Sequence, residues 1–204
     1  MHLLKQPEQL IISVGRECGS GGHEIADKLA AHYNLKLYDR NLLEEIASEK
    51  NLKHDDLHPH DEGHHNKWLY RTVKGMNSSP EHNVAQLQFD YLKKKADEGK
   101  SFVVVGRCAE TILKYNKSLI SIFVLGDEES KIGRLMKEHN CNKRKAAEIM
   151  KAGDKRRKKY HNPYCELKWG DSRNYDISIN ACRIGVDEAV RILIDFIDTR
   201  RKKL

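Results

Sequence analysis

The sequence predicts an α/β fold in which a five-stranded parallel sheet carries helices on both faces. Three observations predict it. Five short apolar, β-branched runs recur along the chain, and two of them, "FVVVG" at 102–106 and "LISIFVL" at 119–125, are nearly continuous rather than alternating. Strands buried on both faces read this way. Between the runs lie stretches whose apolar residues fall at spacings of three and four, the period of a helix facing a core. Strand and helix alternate along the chain, so right-handed crossovers within one doubly wound sheet are expected.

The elements follow in order. "LIISV" at 10–14 is the first strand; "GRECGSGG" breaks it, and a helix follows from His23 to His32. "LKLY" at 35–38 is the second strand, ahead of a helix from Asn41 to Glu49, and a third helix spans Glu81 to Asp97. The strand at 102–106 and the strand at 119–125 come next, followed by helices over Glu128–His139 and Lys143–Tyr160. "YDISIN" at 175–180 is the last strand, and a helix from Val186 to Lys202 closes the series. No internal repeat occurs. Two regions break the alternation, 50–80, rich in His, Asp, Asn and Ser, and the basic 141–173; both read as inserts over one face of the sheet.

A length of 204 residues suits one such domain. The charged fraction of 33% and mean hydropathy of −0.73 are on the polar side, but the recurring apolar runs exclude a disordered chain. Five cysteines, scattered and without a C-x-x-C pair, favour neither a disulfide framework nor a zinc site and fit a reducing cytoplasm. No apolar stretch reaches the ~20 residues that cross a bilayer. The N-terminal residues lack the charged, apolar, small-residue order of a secretory signal, so a cytoplasmic protein without membrane contact is expected. Residues 141–173 contain eleven Lys or Arg against four Asp or Glu, an excess equal to the chain's whole net charge of +7. One basic segment on a neutral body fits an element that closes on a charged small ligand as well as it fits a nucleic-acid surface.

The stretch between the first strand and the first helix, "GRECGSGG", places Gly19, Gly21 and Gly22 where the backbone bends and turns its N–H groups inward. Such a nest at a helix N-terminus binds phosphate through amide donors and the positive end of the helix dipole. The usual pattern is G-x-x-x-x-G-K-[ST]. With Gly21 as its second glycine, Arg16 stands at the first glycine, Gly22 at the lysine and His23 at the hydroxyl. On its own the stretch reads equally as a tightly packed strand-to-helix turn.

Further segments lie where an open α/β sheet binds ligands, at the carboxyl ends of its strands. "SFVVVGRCAETIL" puts Gly106 and Arg107 there, "KLYDRNLLEEI" adds Asp39, and "KAGDKRRKKYHNPY" supplies Asp154, Arg156 and Arg157 on a basic helix. Taken with "WGD" and "YD" further on, the series "GRECGSGG", "YD", "VGRCA" and "DKRR" resembles the cytidylate kinase-like family of P-loop nucleoside monophosphate kinases, in order and over nearly the whole chain. The chain departs from true cytidylate kinases at Cys108, where they carry an acid, and at "RNLLEEI", where they carry a Ser-Gly-x-x-Tyr-Arg run.

The resemblance implies a P-loop NTPase fold of three α/β/α layers, with an acceptor-binding insert over about 40–98 and a lid over about 140–170. It implies transfer of the γ-phosphate of ATP, with Mg²⁺, to a small phosphorylatable acceptor, CMP or dCMP first, and makes a nucleic-acid partner an unfavoured reading. Gly15, Gly19, Ser20, Gly21, Gly22 and His23 would cradle the ATP phosphates, and Asp39 and Arg107 would hold the acceptor. Arg156 and Arg157 would arrive on the lid, oriented by Asp154, and Arg16 would stand in for the absent lysine. No metal is expected beyond the Mg²⁺ that comes with ATP.

Other residues have plainer readings beside functional ones. The histidines His54, His58, His60 and His64 fall at i,i+4, but Pro59 and Gly63 interrupt any helix that would align them on a metal, leaving a solvated insert. Cys108 reads as a packing residue and Asp176 as a cap on the sheet edge near the loop. Trp169 either stacks on a base or anchors the end of the lid, while Gly153 and Gly170 would serve as its hinges. His23 either touches phosphate or caps its helix.

Overall fold

The computed structural model of the chain describes residues 9–49 and 80–203. Five strands, β1 (Ile11–Arg16), β2 (Lys36–Tyr38), β3 (Phe102–Val105), β4 (Leu119–Leu125) and β5 (Ile177–Asn180), form one sheet in the order β2-β3-β1-β4-β5. All four pairings are parallel. The helices are α1 (Gly22–His32), α2 (Leu42–Glu49), α3 (Pro80–Asp97), α4 (Ala109–Ile112), α5 (Glu128–His139), α6 (Lys143–His161), α7 (Ala181–Ile184) and α8 (Val186–Arg201). The histidine-rich stretch lies outside the described residues, as does much of the expected acceptor-binding insert.

The near-continuous apolar strands have a direct cause. Ile12 and Val14 of β1 point into a core with Ile25 and Leu29 of α1 and Leu193 and Ile197 of α8. Ile11, one residue before Ile12 and so turned to the other side, joins Val104 of β3 and Leu42, Leu43 and Ile46 of α2 on the opposite face. Both faces of the central strands are thus dry, and apolar residues are favoured at every position. Because β1 is central and pairs with both β3 and β4, its carboxyl end and the loop beyond it lie at the crevice where the strand order reverses.

Four differences from the sequence reading stand out. The helices α4 and α7, each four residues long, follow β3 and β5 and were not anticipated; one turn has too few residues to display a period. Gly153 is no hinge: it lies inside the uninterrupted helix α6, where an added Cβ would come within 2.8 Å of Cys18 Sγ. It lets the helix approach the loop. Asp176 sits at the amino end of β5, opposite the loop, where its carboxylate accepts from Ser121 N and Oγ at 2.7 and 2.9 Å. His23 caps nothing, since α1 begins from Gly21 without a side-chain cap.

Gly133, within α5, has open space around it: nothing lies within 4 Å of an added Cβ. Gly133→Ala is therefore expected to raise stability by about 0.5 to 1 kcal/mol, the helix-propensity difference, in chemical denaturation.

Candidate phosphate-binding site

The loop after β1 is shaped by glycines that no other residue replaces without strain. Gly19 has φ +80°, and a Cβ there would lie 2.8 Å from the Lys131 carbonyl oxygen; Gly21 has φ +83° and begins α1. The first-turn amides of α1 thus face out of the loop with the positive end of the helix dipole behind them. Ser20 is buried and its hydroxyl donates to Glu17 O at 2.9 Å, closing the loop on itself. Gly15 is a packing position, since its Cβ would lie 2.8 Å from the Phe123 ring.

The side chain of Arg16 accounts for Gly22. An added Cβ at Gly22 would come within 2.4 Å of Arg16 Cβ and 3.0 Å of its Cγ, and one at Gly106 within 2.5 Å of Arg16 Nη1. Arg16 therefore lies across the start of α1 and ends against the corner after β3. Residues Gly106, Arg107 and Cys108 all take left-handed backbone angles there, with φ +75°, +59° and +54°. Two consecutive non-glycine residues in that region are strained, and such strain gathers at functional sites.

Guanidinium groups crowd this corner. Arg16 is partly buried, and burial, then the like charges of Arg157, Arg107 and Arg40, push it down to about 9, opposed by Asp39. It remains charged at neutral pH. These cations come from four places in the chain: β1, the turn before α2, the β3 corner and α6. Such a concentration of positive charge, with Asp39 and Asp154 as the carboxylates beside it, is a setting for a polyanion. Arg107 also lies over the Tyr160 ring, 5.9 Å from its centroid. Asp39 exchanges hydrogen bonds with Asn41 at 3.1 Å each way and has Oδ2 3.4 Å from His23 Nε2. His23 is about half exposed and also faces Asp27 at 3.6 Å.

Helix α6 reaches the loop directly. Asp154 Oδ1 accepts from Cys18 N at 2.7 Å and from Arg157 Nη1 at 3.3 Å, so one carboxylate ties loop, helix and arginine together. Arg156, one residue earlier, is exposed and stands apart from that contact. Beyond the helix, Trp169 packs edge-on against Phe123 at 5.4 Å and its backbone N–H donates to Asn162 Oδ1 at 2.9 Å. It anchors the end of the segment.

Three cations at the site escaped the sequence reading: Arg40, Lys131 and Arg134. Arg40 adjoins Asp39 in "YDRN", and the other two are three residues apart on α5; neither setting has a motif that marks it. An added Cβ at Gly21 would lie 3.2 Å from Arg134 Nη2. Buried Lys131 pairs with Glu17 at 2.7 Å, and Glu17 also accepts from Gly126 N at 3.1 Å. Lys131→Met would leave the Glu17 carboxylate short of its cation. Because Glu17 is partly exposed, the expected loss is about 2 to 3 kcal/mol in denaturant unfolding, below the full range for a buried pair. Lys131→Met combined with Glu17→Gln should recover much of it.

A parallel sheet with a glycine loop running from its central strand into a helix defines a protein of the P-loop class. Residues 11–182 match the model of the cytidylate kinase-like family, and the chain belongs to that family. The crystal structure of an uncharacterized protein from Eubacterium ventriosum ATCC 27560 is similar at 42% identity and a TM-score of 0.74, covering 93% of this chain and 99% of that one. A shikimate kinase from Bacteroides thetaiotaomicron (13% identity, TM-score 0.54, 93% and 98% covered) shares the fold. So does an unliganded sugar kinase from Janibacter sp. HTCC2649 (14% identity, TM-score 0.51, 93% and 95% covered). No protein of curated function matches the chain. Among the described residues no helix is long and apolar enough to cross a membrane.

Proposed function

We propose that the protein is a cytoplasmic kinase that moves the γ-phosphate of ATP to a small acceptor, a nucleoside monophosphate with CMP or dCMP first. The observation that carries this reading is the gathering of Arg16, Arg40, Arg107 and Arg157 beside the glycine loop. Phosphoryl transfer asks little covalent chemistry of a protein; it needs the two substrates in line, their charge neutralised and water excluded. The amides of Gly19 to His23 bind the ATP phosphates. Arg16, crossing from loop to β3 corner, lies between donor and acceptor and does the work of the missing lysine. Arg107 and Asp39 hold the acceptor. The segment over about 140–170 is the lid, with Arg157 as its working cation and Asp154 setting that arginine's direction.

Mg²⁺ favours oxygen donors in octahedral array. The hydroxyl position of the usual loop is His23, and the carboxylate next to it is Asp39. That donor set fits an ion held mainly by phosphate oxygens and water, with Asp39 as the protein's oxygen. Mg²⁺ there would neutralise charge between the phosphates.

A second reading has one observation in its favour. Asp154 accepts from Cys18 N, an amide of the phosphate loop, and this suits a regulator that binds nucleotide and turns over negligibly. A coupled ADP-release screen over nucleoside monophosphates, shikimate, sugars and other phosphorylatable metabolites separates the two. The kinase reading expects ADP with at least one acceptor, at a rate above the ATP-only blank. ATP and CMP each raising Tm with no ADP formed would overturn it in favour of the regulator. Salt-steep RNA binding that nucleotides fail to compete away would favour a nucleic-acid role for the basic segment.

A further inference from the structure

Where the end of α6 meets the β3 corner, three donors of different chemistry converge. Glu110 of α4 and His161 at the end of α6 are buried, and Cys165, four residues on, is partly exposed. His161 Nε2 lies 2.8 Å from Glu110 Oε1, and Cys165 Sγ lies 3.9 Å from the same oxygen. Among the described residues this is the one group of three His, Cys, Asp or Glu side chains whose donor atoms all lie within 4.8 Å of one another.

We propose that Glu110, His161 and Cys165 form a binding site for one zinc ion, which pins the end of α6 to the corner that carries Arg107. Zinc takes thiolate sulfur at about 2.3 Å and imidazole nitrogen or carboxylate oxygen at about 2.0 Å. With those bond lengths the two measured separations correspond to angles of about 90° (N and O) and about 130° (S and O) at the metal, on either side of the tetrahedral value. Side-chain adjustment completes the arrangement, with water as fourth ligand, as in zinc sites that keep an open position.

The surroundings suit a metal. His161 Nδ1 lies 3.3 Å from Asn162 Oδ1, an outer partner that sets the tautomer and leaves Nε2 for the ion. Cys165 Sγ faces the same buried oxygen, and thiolate sulfur is a preferred zinc donor. No C-x-x-C pair marks such a site, because only His161 and Cys165 are neighbours in sequence and Glu110 arrives through the fold.

The test uses the full chain, freed of metal by chelation and titrated first with Co²⁺ and then with Zn²⁺. One equivalent of Co²⁺ should produce thiolate-to-cobalt charge-transfer absorption, and one equivalent of Zn²⁺ should remove it. Cys165→Ser should abolish that absorption, and Glu110→Gln should weaken Co²⁺ binding at least about 10-fold, the smallest effect usual even for an outer-shell partner. Far-ultraviolet circular dichroism shows whether each variant is folded. The histidine-rich stretch 54–65 holds no cysteine and has no such absorption to offer. No charge-transfer band in the folded wild type, a band that survives Cys165→Ser, or unchanged Co²⁺ affinity in Glu110→Gln would each overturn the assignment.

Discussion

Arg157→Ala is expected to lower kcat by about 10²- to 10³-fold, equivalent to about 3 to 4 kcal/mol of transition-state stabilisation, while ATP affinity falls by less than about tenfold. The reason is position. Arg157 is one of the charges that press on Arg16, and Asp154 holds its Nη1 at 3.3 Å while also binding Cys18 N. On the proposed kinase reading, a guanidinium so directed would meet charge that builds on the transferring phosphoryl group more than charge already on bound ATP. Arg156 supplies the internal control. It has the same charge on the same helix but is exposed, so Arg156→Ala should keep kcat within about threefold, as a solvated surface charge does. Steady-state kinetics and ATP binding on both variants decide the matter. Equal losses would mean that the basic helix acts as a diffuse charge, and normal kcat in Arg157→Ala would remove α6 from the chemistry.

Gly22→Ala is expected to destabilise the protein by about 2 kcal/mol and to weaken ATP binding at least about tenfold, because overpacking here forces backbone or Arg16 to move. The new Cβ would lie 2.4 Å from Arg16 Cβ, a stem atom that cannot swing away, and 3.2 Å from Val124 Cβ. The same substitution at Gly133, with open space around it, has the opposite expected sign. In an Arg16→Gly background the collision with the stem disappears, so the stability loss from Gly22→Ala should shrink by more than half. An undiminished loss in that background would show that helix α1, and not Arg16, sets the requirement for glycine. The same crowding explains the loop's missing lysine: any side chain at position 22 meets the stem of Arg16. Arginine at 16 and glycine at 22 are one structural choice, and Gly22→Lys alone is expected to disrupt the site.

The sheet, its parallel sense and its larger helices were legible in the sequence because they depend on local period. Doubly buried strands are apolar throughout, helices repeat every three or four residues, and glycines mark the loop. The helix over Glu128–His139 agrees to the residue, whereas α4 and α7, one turn each, carry no period to read. The motifs also named Arg16, Asp39, Arg107, Asp154 and Arg157, which the fold does bring near the loop. They gave Arg156 and Arg157 one role, and only the fold shows that Arg156 is exposed while Arg157 is partly buried beside Asp154. Gly153 read as a hinge for the same reason: a glycine's meaning depends on its neighbour, here Cys18. The path of Arg16 over Gly22, the bond from Cys18 N to Asp154, the burial of Lys131 on Glu17 and the meeting of Glu110 with His161 and Cys165 were decided by tertiary structure alone. Each joins residues that the parallel crossovers and the packing of α5 and α6 carry into contact from different parts of the chain or turn toward one another. Sequence period records which face of an element is buried, whereas the identity of what lies against that face is set only when the sheet and its helices close.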